Sequence, residues 1–101
     1  MTKTFYFNGV KVNATTGFNC ISLYIIIKRR VGQSTKLFFK GEEVLWPNRN
    51  YDYDVYNITL DSTSYQSITQ LVKDVMKNIE IQFYINEYSH RYSYELLRAL
   101  S

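Results

Sequence analysis

The chain has 101 residues, 46% of them apolar, which suits a single domain spanning 1–101 with a real core. One cysteine excludes an internal disulfide, and one histidine beside it is too few for a zinc site. The net charge of +3 is unevenly placed: residues 1–40 hold seven basic and no acidic side chains, residues 41–61 sum to −4, and the rest balances.

Taken in chain order, Thr4 to Phe7 and Val10 to Asn13 alternate around Asn8-Gly9. That dipeptide favours a type I′ hairpin turn, because both central positions need positive φ. The turn sets Phe7 opposite Val10, Tyr6 opposite Lys11 and Phe5 opposite Val12. Phe5, Phe7, Val10 and Val12 then share an apolar face, and Thr4, Tyr6, Lys11 and Asn13 share a wet one. Residues 4–7 already read as a strand rather than a signal peptide, so a cytoplasmic location is expected. The longest apolar run, residues 23–27, is far short of the roughly 20 residues of a membrane helix.

Gly17 breaks the chain before Cys20–Lys28, which is apolar on both faces and reads as a central strand. Gly32 predicts the next turn and residues 35–40 the returning strand. That register would place Ile27 beside Phe38 and Arg29 beside Lys36. A short strand is expected at 42–46, a type I turn at Trp46-Pro47-Asn48-Arg49, and a strand at 51–60 whose alternating acids would blunt a sheet edge.

The apolar period then changes. Tyr65, Ile68, Leu71, Val72, Val75 and Met76 fall at helical spacing, which predicts a helix over about 64–77. Thr63-x-x-Gln66 can form its capping box and Asn78 its C-terminal stop. Residues 79–85 return to strand alternation. A short C-terminal helix is expected from 88, capped by Asn86 or Ser89, with a strand to Tyr94 as the competing reading. The fold class is α+β: an antiparallel β-meander of about five to seven strands with a helix packed on it.

No residue set suggests catalysis, a metal or a cofactor. Cys20 and His90 lack an orienting partner. Asp52, Asp54 and Asp61 follow no calcium-loop spacing, and the four glycines are scattered rather than gathered in a phosphate loop. A non-enzymatic binding protein is expected.

Two surfaces stand out. The basic one comprises Tyr6, Lys11, Lys28, Arg29, Arg30 and Lys36, with lysine and arginine for phosphates and tyrosine for stacking on bases. The acidic–aromatic one comprises Tyr51, Asp52, Tyr53, Asp54 and Tyr56. Tyrosine gives large contact area at low entropic cost, and alternating Asp could imitate the charge spacing of nucleic acid. Low Ala and Pro with abundant Asn, Lys, Ile and Tyr suggest an AT-rich gene, as in phages and mobile elements. The leading expectation is therefore an inhibitor that binds a host protein or nucleoprotein complex. A nucleic-acid-binding protein using the basic hairpin lobe, and an assembly subunit or homo-oligomer using sheet edges, are the alternatives.

Overall fold

The computed structural model describes residues 2–30, 32–61, 67–85 and 88–93. Their elements run β1 (Thr2–Phe7), β2 (Val10–Thr16), β3 (Cys20–Lys28), β4 (Gln33–Phe39), β5 (Glu42–Glu43), β6 (Asn48–Arg49), β7 (Tyr53–Asp61), α1 (Ile68–Lys77), β8 (Ile79–Ile85) and β9 (Tyr88–Ser93). The class is broadly α+β, mostly antiparallel sheet with one helix among the described residues. It is not a single meander. The strands form a large sheet in the order β1-β2-β3-β7-β6 and a small one in the order β5-β4-β8-β9.

The first hairpin forms in the expected register, with Tyr6 opposite Lys11 and Phe5 opposite Val12. Asn8 and Gly9 take φ of 49° and 83°, the pair of positive values that a type I′ turn requires. Val10, Val12 and Ala14 are buried, with Phe5 and Phe7 packed against them. The opposite parity faces outward.

After β3 the structure departs from expectation. Gly32 does take positive φ, 76°, and the Gln33 N–H donates to the Arg30 carbonyl at 3.0 Å. This turn does not fold β4 back onto β3, however. Strand β3 pairs over its full length with β7, from Cys20 opposite Asp61 to Lys28 opposite Tyr53. The Arg29 N–H extends that ladder to the Asp52 carbonyl at 2.7 Å. With β2 on the other side, both edges of β3 are occupied and β4 must leave for the small sheet. Lys36 therefore lies opposite Gln82 on β8, not beside Arg29.

One core joins the two sheets and the helix. Ile21, Leu23, Ile25 and Ile27 of β3 meet Leu37 of β4, Tyr56 and Ile58 of β7, and Ile79 and Ile81 of β8. Leu71, Val72, Val75 and Met76 form the buried stripe of α1. Each such side chain contributes roughly 1.5–3 kcal/mol on burial, which explains why a ten-residue helix holds here although it would be marginal alone.

The helix begins four residues later than the spacing predicts. Ser67 is its N-cap, in extended conformation, and its hydroxyl accepts the Gln70 N–H at 3.1 Å. The predicted cap residues Thr63 and Gln66 lie outside the described residues. Asn78 ends the helix as its C-cap, and its Nδ2 donates to the Asp74 carbonyl at 2.9 Å.

The expected C-terminal helix is replaced over residues 88–93 by β9, which pairs with β8 from Ile85 opposite Tyr88 to Glu80 opposite Ser93. Tyr and Ser favour helix only weakly, and the open edge of β8 supplies a hydrogen-bond ladder instead. The expected cap Asn86, and residues 94–101, lie outside the described residues. The expected turn at 46–49 is also displaced: Asn48 and Arg49 pair with Val55 and Asp54 as β6. The turn comes at 50–53, where Asn50 Oδ1 accepts the N–H groups of Asp52 and Tyr53 at 3.0 and 2.7 Å. Asparagine nucleates turns by this side-chain-to-backbone bond.

Candidate functional site

The outer face of the large sheet carries the side chains of opposite parity to the core, and nothing among the described residues covers it. Register places them in rows. Thr2, Thr15, Ser22 and Thr59 form one row; Thr4, Asn13, Tyr24 and Asn57 the next; Tyr6, Lys11, Ile26 and Val55 the third; Lys28 and Tyr53 close the face. The first two rows interlock by hydrogen bonds, including Thr4 Oγ1 to Asn13 Oδ1 at 2.9 Å and Ser22 Oγ to Thr59 Oγ1 at 3.2 Å.

The third row and its neighbours surround a cleft of about 540 Å³. Half-buried Ile26 and Val55 lie between Tyr6 and Lys11 on one side and Lys28 and Tyr53 on the other, and Asn50 enters from the 50–53 turn. No acidic side chain lines it. Among the described residues the acid on this face is Asp61, opposite Cys20 at the far end of β3, about 20 Å from Ile26 and Val55 by strand rise. Tyr6 is 70% exposed, Tyr24 40% and Tyr53 38%. Strand spacing and rise set these three residues roughly 12–16 Å apart.

The structure thus divides the two expected surfaces. Tyr6, Lys11 and Lys28 come together, and Tyr53 joins them from the acidic–aromatic stretch. Arg30 lines a separate depression of about 300 Å³ with Tyr51 and Asp52. Lys36 sits on the small sheet, 3.9 Å from Glu43 and over the Tyr84 ring. Asp54 and Tyr56 point into the core, at 0% and 1% exposure, so the stretch presents no alternating charge to solvent and Asp54 blunts no edge. Sequence reasoning missed Asn50. Its place before Tyr-Asp-Tyr, as a turn-forming residue between two alternating runs, was the available signal.

Arg29, expected on the basic surface, serves the fold. Its Nε lies 2.9 Å from Asp54 Oδ1, without hydrogen-bond alignment, so the contact is chiefly Coulombic. Its guanidinium also donates to the carbonyls of Gln33, Asn50 and Tyr51. Arg49 Nε approaches the same Asp54 oxygen at 3.8 Å and Arg49 Nη2 donates to the Thr35 carbonyl at 3.1 Å. Thr35 Oγ1 donates to Asp54 Oδ2 at 2.6 Å, and the Tyr56 hydroxyl donates to the Thr35 carbonyl at 2.8 Å. This network ties the small sheet to β7 and fixes the turn that carries Asn50 and Tyr53.

Burial, with a smaller push from Asp54, raises the Tyr56 phenol above its usual value of 10.0, against the opposing bond from Thr35. The unfolded chain ionises first, so stability falls as pH rises past the unfolded value and through the folded one. Tyr56→Phe should remove this component and flatten the stability profile between about pH 9 and pH 11. Denaturant midpoints across that range check it; parallel profiles for variant and parent would refute it.

Among the described residues no three His, Cys, Asp or Glu side chains gather to hold a metal, and no helix is long and apolar enough to cross a membrane. Cys20 is half-buried at the start of β3. Comparison with protein-family models, curated proteins and solved structures returned no match, so the reading of this face rests on its own residues.

Proposed function

We propose that the chain is a non-catalytic nucleic-acid-binding protein that uses the outer face of its large sheet as the binding platform. The observation that carries this reading is the joining of Tyr6, Lys11, Lys28 and Tyr53 around an acid-free cleft on an uncovered sheet. Aromatic rings on an open surface stack on bases of any sequence, and flanking lysines track the backbone phosphates. Spacings of 12–16 Å between tyrosines suit a strand of several nucleotides rather than a lone nucleotide. The competing expectation, a mimic of nucleic acid on the acidic–aromatic stretch, has less support, because only Tyr51, Asp52 and Tyr53 of that stretch reach solvent.

The test is fluorescence anisotropy with labelled single-stranded DNA and RNA over a salt series. Affinity should fall linearly on a double-logarithmic plot. Absence of any salt-sensitive binding would overturn the reading.

A further inference from the structure

Resting on the nucleic-acid reading above, we propose that the cleft between Tyr6 and Tyr53 seats one unpaired base of a single strand, with an acceptor edge of that base toward the Asn50 amide. Its volume of about 540 Å³ falls in the range of small-ligand sites. Ile26 and Val55 offer an apolar floor, and the two tyrosines flank it. Lys11 and Lys28 lie on different strands at the cleft, placed for the phosphates on either side of the seated base.

Asn50 gives the cleft a directional preference. Its Oδ1 already accepts two backbone N–H groups within its own turn. The polar group it has left for a ligand is the Nδ2 amide, a donor. Every base offers acceptors on an edge that duplex pairing hides or the stack shields. Entry from a duplex would cost a few kcal/mol of unstacking, so the cleft favours single strands. Arg29 supports this arrangement as a positioning residue, because it holds the carbonyls of Asn50 and Tyr51 from behind the turn.

The test compares three ligands by anisotropy: a thymidine dodecamer, a fully abasic strand of equal charge, and a duplex of equal length. The dodecamer should bind about tenfold more tightly than the abasic strand. Ile26→Gln, which makes the apolar floor polar without adding a ring, should lower the dodecamer-to-abasic affinity ratio severalfold. Asn50→Ser keeps a hydroxyl acceptor for the turn and loses the amide. It should weaken dodecamer binding severalfold while circular dichroism shows the fold retained.

Equal affinity for dodecamer and abasic strand would overturn the seated base and leave a phosphate-binding face. A dodecamer preference undiminished in Ile26→Gln would move stacking to the open tyrosines and overturn the cleft. Duplex binding as tight as that of the dodecamer would overturn the single-strand preference. No binding of any ligand would overturn the underlying nucleic-acid reading itself. A protein captured through this face instead would do the same.

Discussion

Replacing Asp54 with alanine is expected to cost about 3–5 kcal/mol of folding stability. The carboxylate is fully buried, and it faces Arg29, whose side chain is 19% exposed, with Arg49 nearby. Removing it leaves two guanidinium groups near each other without their counter-charge, one of them largely out of water. It also leaves the Thr35 hydroxyl without its carboxylate acceptor. The cost is that of an uncompensated buried charge, which exceeds what the intact pair contributes over an apolar replacement. Against a total stability of about 5–15 kcal/mol for a domain, such a loss approaches unfolding. Asp54→Asn, which keeps an acceptor for Thr35 but not the charge, should fall between. Urea unfolding followed by circular dichroism is the measurement, since the single tryptophan, Trp46, is 92% exposed and a weak reporter of packing. A loss below about 1 kcal/mol for the alanine variant would show the network to be dispensable.

The second large effect concerns binding. Lys11→Glu with Lys28→Glu should lower single-strand affinity by about a hundredfold at moderate salt, with the fold intact. Both lysines lie on the outer face at the cleft, and neither takes part in the Arg29–Asp54 network. Reversing them replaces two phosphate contacts with two repulsions. The neutral pair Lys11→Gln with Lys28→Gln separates the two contributions. It should reduce the magnitude of the salt slope by about 1.4, from roughly 0.7 per phosphate on a single strand. An unchanged slope would mean that phosphates lie elsewhere. Arg29→Glu is unsuitable for this purpose, because it would remove the partner of Asp54 and report on folding instead.

The parts of the fold that were legible in the sequence are those fixed by neighbours in the chain. Asn8-Gly9 settles the first hairpin and its register, and with them which of Tyr6 and Phe5 meets water. The helical stripe from Ile68 to Met76 identifies α1, although its start depends on Ser67 rather than on the expected box. The pairing of β3 was not legible, because alternation says which face a residue takes and not which strand lies beside it. A weak signal existed in the outward residues of β3 and β7. Ser22 faces Thr59, Tyr24 faces Asn57 and Ile26 faces Val55, each pair matched in polarity or size.

The same limit decided the site. Charge and alternation mark Tyr6, Lys11 and Lys28 in the sequence, together with Arg29, Arg30 and Lys36, which the structure places elsewhere, whereas Tyr53 reads with the acidic stretch because its neighbours carry Asp. Only the β3–β7 pairing brings Tyr53 beside Lys28. Asp54 shows the converse: an acid in an alternating stretch reads as surface until the half-buried Arg29, just past the end of β3, claims it.

The excursion of β4 and β5 between β3 and β7 also bears on how the chain reaches this structure. The β1–β2–β3 ladders join residues close in sequence and can form early. The β3–β7 ladder joins residues 25 to 41 positions apart, and the intervening β4 and β5 belong to the other sheet. Such non-local pairing carries the loop-closure cost before its contacts repay it, and places folding in the millisecond-to-second regime. Refolding that completed within microseconds, too fast for stopped flow, would contradict this regime. Until β7 docks, a nine-residue strand with isoleucines on both faces waits with an open edge, so the slowest rung to form is also the one whose delay most exposes the nascent chain to self-association.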